Sequence, residues 1–173
     1  MASVIYEGKW SKLLWTGRHA APQSVDQAFE LAAKAAGGEV LGVVAQCTIS
    51  EGHTAWRVVA AAGRRLVVLD ADAPVDDWTR DNDGYRNGSQ SYLNLDGQSI
   101  KVRLLPISSI AAIEVADPIG RVISRTNSER RLTGQWTIVL ADERLVLPPA
   151  EPHSLDGADP TADLVQALTP MVS

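Results

Sequence analysis

The chain of 173 residues is poor in cysteine and in long apolar runs. With one cysteine, Cys47, it can build neither an intrachain disulfide nor a zinc site that needs several thiolates. The neighbouring residues Gln46, Thr48 and Ile49 carry no positive charge that would stabilise a thiolate, so we expect a buried, unreactive thiol. No window approaches the roughly 18 apolar residues of a transmembrane helix, so no integral membrane segment is expected.

Positive charge is also scarce. Sixteen lysines and arginines stand against 21 acidic residues, for a net charge of −5. This charge opposes non-specific binding to nucleic acid or to an anionic membrane, so we expect neither as a partner. The first 12 residues contain no apolar segment followed by a small-residue cleavage site, which predicts a cytoplasmic protein without a secretory signal. The hydrophobic content of 45% is typical of a globular domain.

Motifs that carry catalysis are missing as well. The histidines lie on three separate segments without metal-ligand spacing or a nucleophile partner: His19, His53 and His153. No glycine-rich loop stands between a strand and a helix, where it could bind a phosphate. We therefore predict no catalytic residue, no cofactor and no enzyme activity.

The aspartates at residues 70–83 raise the question of a calcium site, because hard cations prefer carboxylate ligands. Residues 81–84 (DNDG) are superficially similar to an EF-hand loop. In that frame Thr79 occupies the first position, and Gln90 occupies the last position, where a glutamate is required. The pattern favours a solvated acidic loop and no metal site.

The N-terminal part predicts an arm and a helix. Residues 1–23 form an arm whose apolar anchors pack onto the domain, and residues 24–173 form a single domain with a long loop insertion at 70–100. In the helix at 24–37, Ser24 and Gln27 form a capping-box pattern. An apolar face rich in alanine recurs at helical spacing and would allow close approach to a sheet.

Most of the remaining chain predicts antiparallel strands. The turns are Glu51-Gly52-His53, Gly63-Arg64 and Asp142-Glu143, and a short strand at 91–95 is left open. A C-terminal helix follows, with Asp159 as its N-cap and Pro160 at its first position. The seven predicted strands span residues 39–50, 56–62, 66–69, 101–105, 108–115, 136–140 and 145–147.

This order of elements resembles the pleckstrin-homology (PH) superfold, in particular the bacterial PH-like proteins. The stretches that carry the resemblance are a basic turn before an apolar strand at 61–68 (AAGRRLVV), a proline step into a strand at 105–114 (LPISSIAAIE), and a strand end at 145–148 (LVLP). The resemblance covers about residues 38–170. It implies an α+β, mainly β fold: a partly open barrel of about seven antiparallel strands, capped by the C-terminal helix, with the N-terminal helix as an addition.

The resemblance implies a non-enzymatic binding or scaffold domain that mediates protein–protein interaction or self-association. Family members that bind phosphoinositides carry several basic residues on the first hairpin. Here that hairpin carries Glu51, His53 and Arg57, so phosphoinositide binding is not expected. The alternative is a small-ligand or lipid-binding domain, or an enzyme that uses a pocket not visible in the sequence.

Arginines in the polar stretch at 117–133 are the candidate binding residues: Arg121, Arg125, Arg130 and Arg131. If residues 126–128 form a turn, Arg125 and Arg131 bracket the tip of a hairpin. Two interpretations stay open. The stretch is either a solvated hairpin balanced by Glu129 and nearby acids, or a docking patch for an acidic partner or a phosphate.

Overall fold

A computed structural model describes residues 14–16, 18–80, 97–122, 130–148 and 159–172. Within these ranges no helix is both long enough and apolar enough to cross a membrane. The described residues form two α-helices, α1 (Gln23–Ala35) and α2 (Pro160–Leu168), and two 3-10 turns at Ile107–Ser109 and Thr169–Met171. Their seven strands are β1 (Val40–Ser50), β2 (His53–Ala62), β3 (Arg65–Ala73), β4 (Ser99–Pro106), β5 (Ala112–Val122), β6 (Arg130–Val139) and β7 (Arg144–Val146).

The strands form two antiparallel sheets. The first has the order β1-β2-β3-β4, and the second has the order β5-β6-β7, so within each sheet the paired strands are consecutive in the chain. In the described residues no ladder joins the two sheets into a closed barrel. The predicted α+β fold with mainly antiparallel sheet is confirmed.

The four-stranded sheet lies between two apolar layers. Val58 and Ala60 of β2 belong to a core with Phe29 of α1. The alternate residues Val59 and Ala61 belong to a second core with β6, β7 and α2. Because successive side chains point to opposite faces, a strand covered on both sides must be apolar throughout. This explains the unbroken apolar runs of β2 and β3, which alternation with polar residues would not produce.

Helix α1 begins one residue earlier than predicted. Pro22 is the N-cap, with an extended ψ of 154°, and no side chain caps the helix. Ser24 is therefore the second residue of the helix, so the predicted capping box is wrong. The predicted end is confirmed, because Gly37 and Gly38 adopt φ values of 122° and 87°. The alanine face packs on the sheet as expected, with Ala32 and Ala33 in its core.

The described part of the N-terminal arm packs on the same core. Leu14 and Ala21 are buried beside α1 and the sheet, and Trp15 forms a bridge with Ala20. Other apolar residues of the arm that are counted among its anchors from the sequence, Tyr6 and Trp10, lie outside the described residues.

Both predicted turns of the first meander are confirmed. Glu51-Gly52 joins β1 to β2, and Gly63-Arg64 joins β2 to β3. Gly63 has a φ of 55°, and a Cβ there would lie 2.5 Å from the carbonyl oxygen of Ala36. Strand β3 continues to Ala73 and β4 starts at Ser99, so part of the predicted insertion at 70–100 is strand. The strand left open at 91–95 lies outside the described residues.

The second sheet differs most from the prediction. The expected strand at 108–115 begins with a 3-10 turn, stabilised by a hydrogen bond from Ser109 Oγ to the carbonyl oxygen of Pro106 (2.6 Å). Strand β5 then continues to Val122, so much of the predicted polar segment at 117–133 is strand. The pairing register shifts between Ala116 and Ile119, and Asp117 has a φ of 50°. Such a bulge breaks the alternation by which a strand is recognised in sequence.

Helix α2 confirms the predicted cap. Asp159 Oδ1 accepts a hydrogen bond from the backbone N–H of Ala162 (3.0 Å), and Pro160 occupies the first turn. The helix packs closely against β1, where a Cβ on Gly42 would lie 2.8 Å from the Cα of Leu164. The predicted β6–β7 hairpin is confirmed too, with Ile138 opposite Leu145.

Candidate interaction surfaces

The predicted arginines fall at one end of the β5–β6 hairpin. The register places Arg121 opposite Arg131, and Val122 opposite Arg130. Strand β7 pairs with Thr137–Val139 of β6, at the other end of the hairpin. Arg125 and the proposed turn at 126–128 lie outside the described residues. The structure thus brings three of the four positions together along the backbone, and their binding role stays a prediction.

A chain of ion pairs crosses the polar end of the four-stranded sheet. Arg57 Nε on β2 lies 2.6 Å from Asp70 Oδ1 on β3, and the guanidinium of Arg103 on β4 lies 3.6 Å from Asp70 Oδ2. Arg103 also donates two hydrogen bonds to Glu143 in the β6–β7 turn, one of them 3.1 Å long. The hydrogen bond and charge of Arg103 hold the pKa of Glu143 below its usual value. The sequence showed no sign of this network, because its members come from four separate elements.

The remaining polar residues of this sheet face are exposed. His53 Nε2 lies 3.8 Å from Asp72 Oδ1, at the edge of ion-pair distance, and both side chains are about half exposed. Lys101 stands opposite Asp70 in the β3–β4 register. Among the described residues no group of three or more His, Cys, Asp or Glu side chains is placed to hold a metal ion. A polar, solvated half of an antiparallel sheet is common, so these residues alone do not define a binding site.

Residues 74–80, at the start of the predicted insertion, are bound to the core by hydrogen bonds. Trp56 Nε1 donates to the carbonyl oxygen of Trp78 (2.7 Å), and both tryptophans are buried. Thr54 Oγ1 donates to the carbonyl oxygen of Val75 (2.9 Å) and accepts from the N–H of Trp78 (3.0 Å). Arg80 forms an ion pair with the buried carboxylate of Asp26 on α1. The buried Trp78 thus anchors the start of the insertion to the core, and its hydrogen-bond partners could not be derived from the sequence.

Cys47 is partly buried beside the α1 core. Burial, with a smaller contribution from the carboxylate of Asp77, raises the pKa of its thiol to about 11. The expectation of an unreactive thiol agrees with this environment, although the residue is less buried than expected.

Strand β4 forms one edge of the four-stranded sheet. Among the described residues it pairs with β3 alone, along its full length of eight residues. Ile100 packs on the α1 core, whereas Val102 and Leu104 on the same face are 36% and 37% exposed. Lys101 and Arg103 occupy the opposite face. The alternating pattern of this segment predicted a strand, but nothing in it indicated an edge position.

The chain was compared with models of protein families, with curated proteins and with solved structures, and no match was found. The function must therefore be inferred from the surfaces described above.

Proposed function

We propose that the chain is a non-enzymatic binding domain with a PH-like fold that mediates protein–protein interaction. The fold part of the proposal is supported by the order of the elements: a four-stranded meander, a three-stranded meander and a C-terminal helix. Helix α2 packs on β1 and joins the core between the two sheets, where a helix that caps the barrel would lie.

The observation that carries the binding function is the exposed apolar edge of β4. Isolated exposed apolar side chains are common, but an edge strand also presents unpaired N–H and C=O groups. On β4 both features coincide, since Val102 and Leu104 are exposed on a strand whose outer side has no partner in the described residues. Such an edge is a ready template for another polypeptide.

A photo-crosslinking experiment in cells tests the proposal. A benzophenone amino acid replaces Val102 at the β4 edge, and in a matched variant it replaces Leu31, which is exposed on α1. We expect a defined protein adduct from position 102 and not from position 31, and the same adduct with the purified partner. Identical adducts from both positions, or none from position 102 in a folded protein, would contradict the proposal.

The arginine positions are tested separately with the same partner. Arg130→Glu and Arg131→Glu are combined, and recovery of the partner is compared with that of the unmodified chain. If the arginines form a docking patch for an acidic partner, charge reversal lowers recovery sharply. Unchanged recovery would end the hypothesis for these residues and leave the β4 edge as the contact surface.

A further inference from the structure

We propose that β4 binds an extended segment of a partner protein as an added strand, and that this segment alternates apolar and acidic residues. The inference rests on the proposed function and specifies both the binding mode and the chemistry of the partner. It follows from three properties of β4: its position at the sheet edge among the described residues, the division of its side chains between two faces, and the positive charge that it carries on one of those faces.

The backbone of β4 provides the general attraction. It pairs with β3 along its whole length, with Ser99 opposite Asp72 at one end and Pro106 opposite Arg65 at the other. The strand is therefore extended and regular over eight residues. On an edge strand the N–H and C=O groups that do not face the neighbour point outward. A peptide in an extended conformation can pair with these groups, as in other complexes formed by strand addition.

The side chains of β4 provide the specificity. Val102 and Leu104 lie on the face that α1 covers, and more than a third of each is exposed. An apolar residue of the added strand would lie directly opposite them, because cross-strand neighbours share a face. The bound peptide would thereby remove apolar surface from water.

The other face of β4 selects for negative charge. Arg103 is already held by Glu143 and Asp70. Lys101 is exposed, and although Asp70 stands opposite it on β3, no described carboxylate lies within ion-pair distance of its amino group. The strand contains no acidic residue. An acidic residue of the added strand opposite Lys101 would form a cross-strand pair of opposite charge.

A second copy of the chain is a poorer occupant. A twofold antiparallel pairing of β4 with itself that keeps the apolar faces together and is centred near the middle of the strand opposes basic residues. Centred on Val102, it places Lys101 opposite Arg103; centred one position to either side, it places a basic residue opposite its own copy. Like charges directly opposite destabilise a strand pair, and a lysine on an edge is a known protection against self-pairing.

The test uses a synthetic peptide of ten residues with valine and glutamate at alternate positions. Controls carry lysine in place of glutamate, or N-methyl groups on alternate amides that block strand pairing. We expect the glutamate peptide to bind, with amide hydrogen-exchange protection and NMR shift changes along β4, and both controls to bind at least about fivefold more weakly. Lys101→Glu should lower affinity for the glutamate peptide by roughly fivefold and raise affinity for the lysine peptide. Lys34→Glu on α1 serves as the control of equal charge change.

Three results would overturn the inference. The first is that NMR shift changes map away from β4, and the second is that the N-methylated peptide binds as tightly as the glutamate peptide. The third is that light scattering detects a dimer whose dissociation constant is changed by Lys101→Glu. The proposed function fails independently. If crosslinking from position 102 captures a partner but no peptide binds the edge, the domain binds proteins and strand addition is wrong.

Discussion

Arg103 on β4 and Glu143 in the β6–β7 turn form a bidentate ion pair that connects the four-stranded sheet to the three-stranded sheet. The pair continues through Asp70 to Arg57, so one chain of charges spans β2, β3, β4 and the second sheet. Both side chains of the Arg103–Glu143 pair are less than 30% exposed. Partial burial and two parallel hydrogen bonds make this contact stronger than a typical surface ion pair.

The first prediction concerns the stability that this pair provides. We expect Glu143→Gln to lower the free energy of unfolding by about 1 kcal/mol, because Arg103 loses a charged partner at a partly buried position. Glu114→Gln is the matched control, since its pair with Arg144 lies within the second sheet and is 50–58% exposed. Urea denaturation measures both variants. Equal losses would show that the link between the sheets contributes nothing beyond a surface pair.

The second prediction is the pH dependence of the same contact. Arg103 lowers the pKa of Glu143 below the ordinary value of 4.5. The unfolded chain therefore binds the proton more readily, so the stabilisation is complete above 4.5 and is lost as the pH falls through the lower, folded pKa. The difference in unfolding free energy between the unmodified chain and Glu143→Gln should be nearly constant above about pH 5 and should shrink as the pH falls from about 4.5 to about 3. A constant difference as the pH falls would show that Arg103 does not lower the pKa of Glu143.

The third prediction tests the contact between α2 and β1. Gly42→Ala places a Cβ 2.8 Å from the Cα of Leu164, which is backbone that cannot rotate away. We expect a loss of about 1–3 kcal/mol as α2 is displaced from the sheet. Gln46→Ala, on the same strand and face but exposed, should change stability by less than about 0.5 kcal/mol. A neutral Gly42→Ala, measured by thermal and urea unfolding, would show that α2 does not sit this close to β1.

The fourth prediction concerns the buried hydroxyl of Thr54. Thr54→Val keeps the shape but leaves the N–H of Trp78 and the carbonyl oxygen of Val75 without this partner. We expect the free energy of unfolding to fall by about 1–3 kcal/mol. We also expect a change in tryptophan fluorescence, because Trp78 is hydrogen-bonded to Thr54 through its N–H and to Trp56 through its carbonyl oxygen. Thr54→Ser retains the hydroxyl and both of its hydrogen bonds, so it should be less destabilising than Thr54→Val. If serine and valine are equally destabilising, the hydroxyl has no structural role.

The fifth prediction concerns the reactivity of Cys47. With a pKa of about 11, the thiol holds far less thiolate at neutral pH than an unperturbed cysteine. We expect iodoacetamide at about pH 8 to modify the folded chain at least tenfold more slowly than the chain unfolded in urea. Mass spectrometry follows the modification with time. Equal rates in the folded and unfolded chain would show that the environment of the thiol is accessible and unperturbed.

Local signals were enough to predict the turns that join β1 to β2 and β2 to β3, the end of α1 and the start of α2. Gly37, Gly38 and Gly63 adopt conformations that other residues rarely take, and Asp159 caps the helix that follows it. The prediction failed where non-local structure overrides a local pattern. Ser24 became an interior helix residue because Pro22 starts the helix, and β5 was predicted too short because a bulge at Asp117 interrupts its alternation.

The candidate surfaces divide in the same way. The arginines at residues 121–131 were found as a run in sequence, whereas the β4 edge was not recognised as a surface. An edge is defined by the strand that is missing beside it, and this depends on how the whole sheet is ordered. The network of Arg57, Asp70, Arg103 and Glu143 was missed for a similar reason, since each member is unremarkable within its own segment.

The amino-acid sequence by itself determined that the chain is rich in antiparallel strands, where most of them turn, and that its single cysteine allows neither an intrachain disulfide nor a zinc site with several thiolates. These properties depend on the conformational preferences of single residues and on the side-chain period of two. Only the tertiary structure decided that the first sheet is covered on both faces, that β4 is left at its edge, and that Arg103 meets Glu143. Those contacts join residues far apart in the chain, and their energies depend on distances that exist only after folding.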